Sequence, residues 1–435
     1  MILKRIQLGL IHVAVAMTLV PINSTLNRVM IKELAISATL VAVLASLPYI
    51  FSPIQVAIGS FSDRHPIGGY RRMPYIVLGL LLCVAGVALS PQAAFLMASN
   101  LPLGSALGLL AFGAWGMGFN FATVSYLSLA SELSGESGRG RTIAVMWFMM
   151  ITSIILTAIG LSQMLDPYTP QALVRAFWTV GATALVLGFL GLLNLEKRHQ
   201  AAPETSEHYS WGTLVRFVLD NRQARVFFIY LVILLAALLG QDILLEPFGG
   251  EAFDLSVRQT TRITSIWGVC VLVALLVAGA LEGRLSKRTV AALGGWGALA
   301  GFVLIAAGGG LMNIAIFYTG VILLGFGTGL STVSNLSLML DMTTADKVGL
   351  FIGAWGMANA LSRLIGSILS GAVRDLATRL TQQPVTGYAI VFGIMAAIMF
   401  TSLVLLRSID VAAFRRQAEE KLSLVERAAM ASDAG

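Results

Sequence analysis

The stretch Thr123-Val-Ser-Tyr-Leu-Ser-Leu129 returns as Thr332-Val-Ser-Asn-Leu-Ser-Leu338. Around it, Gly116 and Gly118 match Gly325 and Gly327, Glu132 matches Asp341, and Trp147 and Gly160 find partners in Trp355 and Gly371. The two copies run in the same direction and lie roughly 200 residues apart, the mark of a protein made of two like-folded halves. What such halves can be is decided by charge. Of 435 residues, 57% are apolar and only 12% are charged, whereas a soluble domain carries about 25% charged residues.

Apolar runs long enough to cross a hydrocarbon core recur along the chain, and backbone in lipid must satisfy its own hydrogen bonds, so they are read as helices. Twelve are expected, near 6–27, 37–62, 74–90, 104–131, 142–164, 174–194, 225–246, 261–282, 290–307, 313–340, 350–373 and 388–407. The organisation that follows is an N-terminal six-helix bundle over 1–195, a cytoplasmic connector over 196–224, a C-terminal six-helix bundle over 225–407 and a cytoplasmic tail over 408–435. Met1 to Val20 is read as the start of the first span and not as a signal peptide, because its apolar run is too long and no small-x-small site follows. In the connector, Trp211 to Val218 reads as a short interfacial helix. In the tail, Val411, Phe414, Ala418, Leu422, Val425 and Ala429 recur at helical spacing and define an amphipathic helix for a membrane surface or a partner.

The net charge of +7 is a matter of topology. Pairs such as Lys4-Arg5, Arg71-Arg72, Lys197-Arg198 and Lys287-Arg288 fall at one set of span ends, while the opposite set holds only Arg28, Lys32, Arg175, Arg258, Arg262, Arg374 and Arg379. The bias puts both termini in the cytoplasm. Dispersed basic residues with no basic–aromatic stripe exclude nucleic acid as a partner. Cys83 and Cys270 lie inside spans and form neither a disulfide framework nor a metal pair. With no triad, metal cluster or phosphate loop, the chain does not read as an enzyme, and no protein-bound metal is expected. The runs Gly113-Ala-Trp-Gly-Met-Gly118 and Gly325-Phe-Gly-Thr-Gly329 lack the strand and lysine of a nucleotide loop and read as close helix contacts.

Between the second and third spans stands Gly59-Ser-Phe-Ser-Asp63-Arg64, continuing to Tyr70-Arg71-Arg72, and a vestige, Gly279-Ala-Leu-Glu-Gly-Arg284, occupies the same place in the second half. This resembles the signature loop of the major facilitator superfamily, with extra residues between Arg64 and Arg71. The fold expected is therefore all-α: twelve transmembrane helices in two pseudo-symmetric bundles. The Asp and Arg side chains are expected to bond a neighbouring helix end and hold a closed state.

Polar groups inside hydrocarbon are costly and therefore informative. His12, in the first span, reads as a proton carrier, as an axial ligand to the metal of a tetrapyrrole, or as a histidine hydrogen-bonded between helices. Gln55 and Asn120 are further cavity candidates. Asp242 and Glu246 share one face of the seventh span near its outer end, where Pro247 and Gly249-Gly250 are expected to break the helix. Asn27 and Arg28 end the first span on the same side, so an outer latch is expected in which Arg28 pairs with Asp242 or Glu246. Arg363, with Asn359 one turn before it, must face the interior and meet an anion, carbonyls or a structural acid.

Three motifs carry a closer resemblance: Ser24-Thr-Leu-Asn-Arg-Val-Met-Ile-Lys-Glu-Leu34, Tyr70-Arg-Arg-Met-Pro-Tyr-Ile76 and Gln241-Asp-Ile-Leu-Leu-Glu-Pro-Phe-Gly-Gly-Glu-Ala-Phe253. In this order they resemble the PucC/LhaA bacteriochlorophyll delivery family. The resemblance implies an inner, photosynthetic membrane and a carrier or assembly factor that hands chlorophyll or bacteriochlorophyll to light-harvesting or photosystem polypeptides. The implied partners are those subunits, chlorophyll synthase and the membrane insertion machinery. The pigment is cargo. Its magnesium already has four ring nitrogens and needs one axial group, for which His12 is the first choice. The rival readings are a secondary transporter of a small anion anchored by Arg363, and a scaffold for antenna assembly that moves no pigment.

Overall fold

The computed structural model describes residues 2–198, 222–281, 284–341 and 348–409. The interfacial helix expected in the connector and the amphipathic tail lie outside the described residues.

Among the described residues, ten helices are long and apolar enough to cross a membrane. Two further crossings complete the expected twelve, and each fails the simple criterion for a visible reason. The second crossing is broken into Ala38–Ala45, Leu47–Ile50 and Ile54–Arg64, with Pro48 and Pro53 at the breaks. The eleventh, Val348–Thr381, is one helix but carries Arg363, Arg374, Asp375 and Arg379. Large apolar side chains such as Leu110, Leu276 and Trp178 point outward, more than half exposed. Water does not permit a surface of that kind over a whole molecule, and lipid does.

Helical backbone over Leu101–Met164 holds both the fourth and the fifth crossing. Ser134 Oγ donates to Thr142 Oγ1 at 2.7 Å, although residues eight apart on a straight helix are about 12 Å apart along the axis. The chain therefore doubles back between them. Other expected ends shift. The third crossing runs through Pro91 to Ser99 and does not stop at residue 90.

The seventh crossing breaks earlier than expected. Its α-helix Arg222–Gly240 gives way to a 3-10 turn, Gln241–Ile243, and restarts as Leu245–Phe253. Pro247 thus breaks nothing, because it falls in the first turn of the new helix, where a backbone N–H has no partner to lose. The break comes where Gly240 meets Gly366: a Cβ on Gly240 would lie 2.8 Å from the Gly366 carbonyl carbon. The first crossing is irregular in the opposite sense. After Ile2–Ala16 it widens into π turns, Pro21–Leu26 and Val29–Glu33.

The sequence repeat is a repeat of contacts. A Cβ on Gly118 would sit 2.5 Å from the backbone of Gly79 and Cys83 in the third crossing, and one on Gly327 would sit 2.4–2.6 Å from Ala298 and Gly294 in the ninth. Gly116 packs on Pro48 of the second crossing and Gly325 on Trp267 of the eighth. Each glycine pair brings the same two helices of its half into backbone contact, the small-residue packing that holds helices together in lipid.

Candidate functional site

The described helices begin at Ile2 and end at Leu406 on one face of the twelve-crossing bundle, called here the terminal face; the other is the distal face. The two halves are tied together distally. Ser37 Oγ, Ala38 N, Thr39 N and Thr39 Oγ1 all donate to Asp375 at 2.6–3.1 Å, so an acid of the second half caps a helix of the first. Lys32 Nζ reaches Gly250 O at 2.6 Å and Asp254 at 2.8 Å. Arg258 pairs with Asp166. Arg374 supports Asp375 from beside it at 3.1 Å and also holds Glu251 at 2.8 Å.

Arg28 does not make the expected latch. It pairs with Glu33 on its own helix and donates to Leu255 O at 2.9 Å. Its link across the halves is thus to a carbonyl, while Asp242 and Glu246 bond elsewhere. Asn27 donates to Asn23 O at 2.9 Å, one turn back on the same helix, and ties nothing across the seam.

Of the signature-loop residues, Asp63 and Arg72 bond between neighbouring helix ends, and they do so within one half. Arg72 binds Asp63 at 2.5 Å, Glu132 at 2.9 Å and Ser62 Oγ at 2.7 Å, which joins the ends of the second, third and fourth crossings. Arg64 folds back on Ser60 of its own helix. Arg71 takes part through its backbone: Glu196 accepts the N–H groups of Arg71, Arg72 and Met73 at 2.7–3.2 Å and caps the third crossing. No motif marked Glu196; its only signal is an acid at the end of the sixth span, opposite a helix start.

Between the halves lies a cavity of about 380 Å³, within the range of small-molecule sites. Leu234, Leu235, Leu238 and Leu239 of the seventh crossing form one wall, and Trp147, Trp267 and Trp355 face in from three others. Trp147 and Trp355 are the repeat-related pair, one from each half. The repeat pairs them in the sequence, but nothing in an apolar residue's identity marks it as lining a cavity.

The polar groups of the cavity form two clusters. In one, Arg363 pairs with Asp242 at 2.8 Å and its guanidinium lies 5.4 Å over the Tyr49 ring of the other half. Arg363 therefore meets an acid of its own half, the bland outcome among those expected, and its charge is already matched. In the other, Glu246 accepts from Ser24 Oγ and, at 2.5 Å, from Thr264 Oγ1. Asn359 donates to Trp355 O at 3.0 Å, and no bond to its amide oxygen stands among the described residues.

His12, Gln55 and Asn120 are absent from the cavity wall. His12 is buried in the first half with its ring 5.1 Å from that of Tyr126, and its Nδ1 has no partner among the described residues. Gln55 donates to Asn120 at 2.5 Å, and Asn120 donates to Pro48 O and Gly116 O, which bridges the broken second crossing to the fourth. Their role is to satisfy the carbonyls that Pro48 and the helix breaks expose.

A family model described as "PUCC protein" matches residues 25–414. Protein PucC of Cereibacter sphaeroides is 30% identical over 93% of this chain and 91% of its own length. Protein PucC of Rhodovulum sulfidophilum is 31% identical over 86% and 85%. A Rhodobacter capsulatus protein named "Bacteriochlorophyll synthase 44.5 kDa chain" is 28% identical over 93% and 96%. Among solved structures, a point mutant of the nucleoside transporter NupG superposes with a TM-score of 0.74 at 16% identity, covering 93% of this chain and 99% of that one. That similarity speaks for the major-facilitator-type fold alone.

Proposed function

From the premise that the chain belongs to the PUCC protein family, we propose that it is a carrier and assembly factor that binds chlorophyll or bacteriochlorophyll and delivers it to light-harvesting or photosystem polypeptides in the photosynthetic inner membrane. The observation that carries this reading is the cavity wall. Leucines and three tryptophans suit a flat macrocycle with an isoprenoid tail, and two polar clusters suffice to orient it. Chlorophyll synthase, which makes such a pigment, and the insertion machinery, which supplies new antenna helices, are the partners this role requires. The positive-inside bias sets the terminal face in the cytoplasm.

The axial group passes from His12 to Asn359. Magnesium prefers oxygen ligands, and Asn359 lines the cavity with no bond to its amide oxygen among the described residues, whereas His12 is absent from the lining. The rival reading as a transporter of a small anion loses its anchor, because Arg363 already holds Asp242. A scaffold that moves no pigment has no use for a lined cavity.

The test is absorption of the purified protein. Isolated in mild detergent from a host that makes the pigment, the wild type is expected to carry chlorin bands. Thr332→Trp, which fills the cavity from the tenth crossing without altering charge, is expected to lower bound pigment about tenfold, equivalent to roughly 1.4 kcal/mol, with an unchanged melting temperature. A colourless wild type, or equal pigment in both proteins, overturns the reading.

A further inference from the structure

Among the described residues, the carboxyl of Glu246 is the one acid of the cavity that no cation matches. It is 1% exposed, and Asp242, one turn before it, is held by Arg363. From the first crossing it meets Ser24, and beyond that Arg28, whose charge reaches the carboxyl but whose hydrogen bonds go to Glu33 and Leu255 O, its Nε having no partner among the described residues. From the eighth crossing it meets Thr264, with Thr261 beside it. Among the described residues no ion pair reaches Glu246. Glu33, the partner of Arg28, is 38% exposed and open to water, whereas Glu246 is buried with no ion pair of its own among the described residues. A buried carboxylate in that position is either carried by its hydrogen bonds or neutralised by a proton. The second oxygen, Oε2, is buried and has no partner among the described residues.

Two independent features mark the same spot. Ser24 sits in the π turn Pro21–Leu26, and Glu246 directly follows the 3-10 break in the seventh crossing. Isolated π turns in helices collect at functional sites, and broken helices at mid-membrane mark binding sites in carriers of this kind. Here both irregular segments belong to the first helix of their half, and they meet at one carboxyl that also lines the cavity.

We propose that Glu246 is a proton-binding site that couples the distal seam to the cavity: the seam is sealed when the carboxyl is protonated and opens when it is ionised. The step balances simply, since a carboxylate takes one proton from water on the distal side and becomes a neutral acid. With the seam open, water solvates the carboxylate; with it closed, none is available and the charge has to be neutralised. On the cavity side the same group can release its proton. A sodium ion fits less well. Ser24 and Thr264 hydroxyls donate to Oε1, an arrangement of hydrogen bonding and not of metal ligation, in which an ion would stand between those oxygens. The inference uses the carrier reading for its purpose only.

The experiment measures the seam, not the pigment. Spin labels go on Ser99→Cys and Met312→Cys, exposed distal positions, one on each half, while Cys83 and Cys270 stay buried. Pulsed distance measurements on the full chain in nanodiscs are taken from about pH 5 to about pH 9. The wild type is expected to move from a short to a long distance as pH rises, with the open-to-sealed ratio changing up to about tenfold per pH unit near the midpoint, as one proton requires. Glu246→Gln is expected to stay short throughout. Thr264→Val keeps the acid but removes a donor that favours its charged form, so its midpoint moves to higher pH. A wild type that does not respond, a Glu246→Gln protein that titrates like it, an unmoved midpoint in Thr264→Val, or a shift that follows sodium at fixed pH overturns the proposal. A colourless protein whose seam still titrates at Glu246 sinks the carrier reading and leaves this one standing.

Discussion

The distal and terminal faces use the same kinds of side chain to opposite ends. Distally, Asp375, Lys32, Arg28 and Arg258 bond across the halves. At the terminal face, Arg5 bonds Thr142, Gln7 bonds Leu193, Arg72 bonds Asp63 and Glu132, and Arg288 bonds the Arg407 carbonyl, each within its own half. A protein whose halves are knotted at one face and, among the described residues, independent at the other is one posture of a rocking pair. The terminal-face networks make each half rigid, and the distal bonds decide the angle between them.

The sharpest way to break this contrast is to unpair the charges between the two faces. Asp242→Ala strands Arg363 in the cavity wall. Removing one member of a buried pair costs roughly 3–5 kcal/mol, and the lower end is expected here because both side chains are partly open to the cavity. Thermal unfolding in detergent measures it, and an unchanged melting temperature would show that Tyr49 and water suffice for Arg363.

A smaller effect separates the faces directly. Asp375→Ala removes four bonds at the seam, but the site is partly exposed and water takes over the freed donors, so the net cost is expected at roughly 1–2 kcal/mol. It is expected to raise labelling of Ile36→Cys, buried beside the seam, from the distal side. Arg72→Ala is expected to lower the melting temperature of the protein and leave that labelling unchanged. If both variants open the seam equally, the faces are not independent.

The smallest effect comes from acid. The hydrogen bond and the charge of Lys32 hold the Asp254 carboxyl below its ordinary range, and a proton on the Asp375 carboxylate would end a bond from Ser37 or Thr39. A depressed carboxylate contributes stability above its unfolded value of about 3.9 and loses it as pH falls through the folded value. The seam is therefore expected to loosen below about pH 4, well under the range in which Glu246 is proposed to act. Labelling that stays flat down to about pH 2 would remove Asp375 and Asp254 from the latch.

How much of this was legible in the sequence differs between fold and site. The repeat disclosed the two halves because Gly118 and Gly327 do one job twice, and a job repeated leaves a spelling repeated. Asp242, Glu246 and Arg363 were visible as charges in hydrocarbon, but their partners were not. Partnership depends on where the seventh crossing breaks, and that is set by Gly240 against Gly366, a contact remote in sequence. His12, Gln55 and Asn120 drew notice as polar groups in lipid, yet each serves or borders packing within the first half. The tryptophans of the cavity drew none, since an aromatic residue in a membrane span is ordinary until its neighbours are known.

The wide turns of the first crossing bear on how the molecule moves. A π turn holds more residues than its α counterpart. Passing that surplus along the chain would swing the neighbouring side chains by about 100° per residue around the axis. Ser24 could thus be dialled toward or away from the seventh helix by the migration of a defect, with no hinge required.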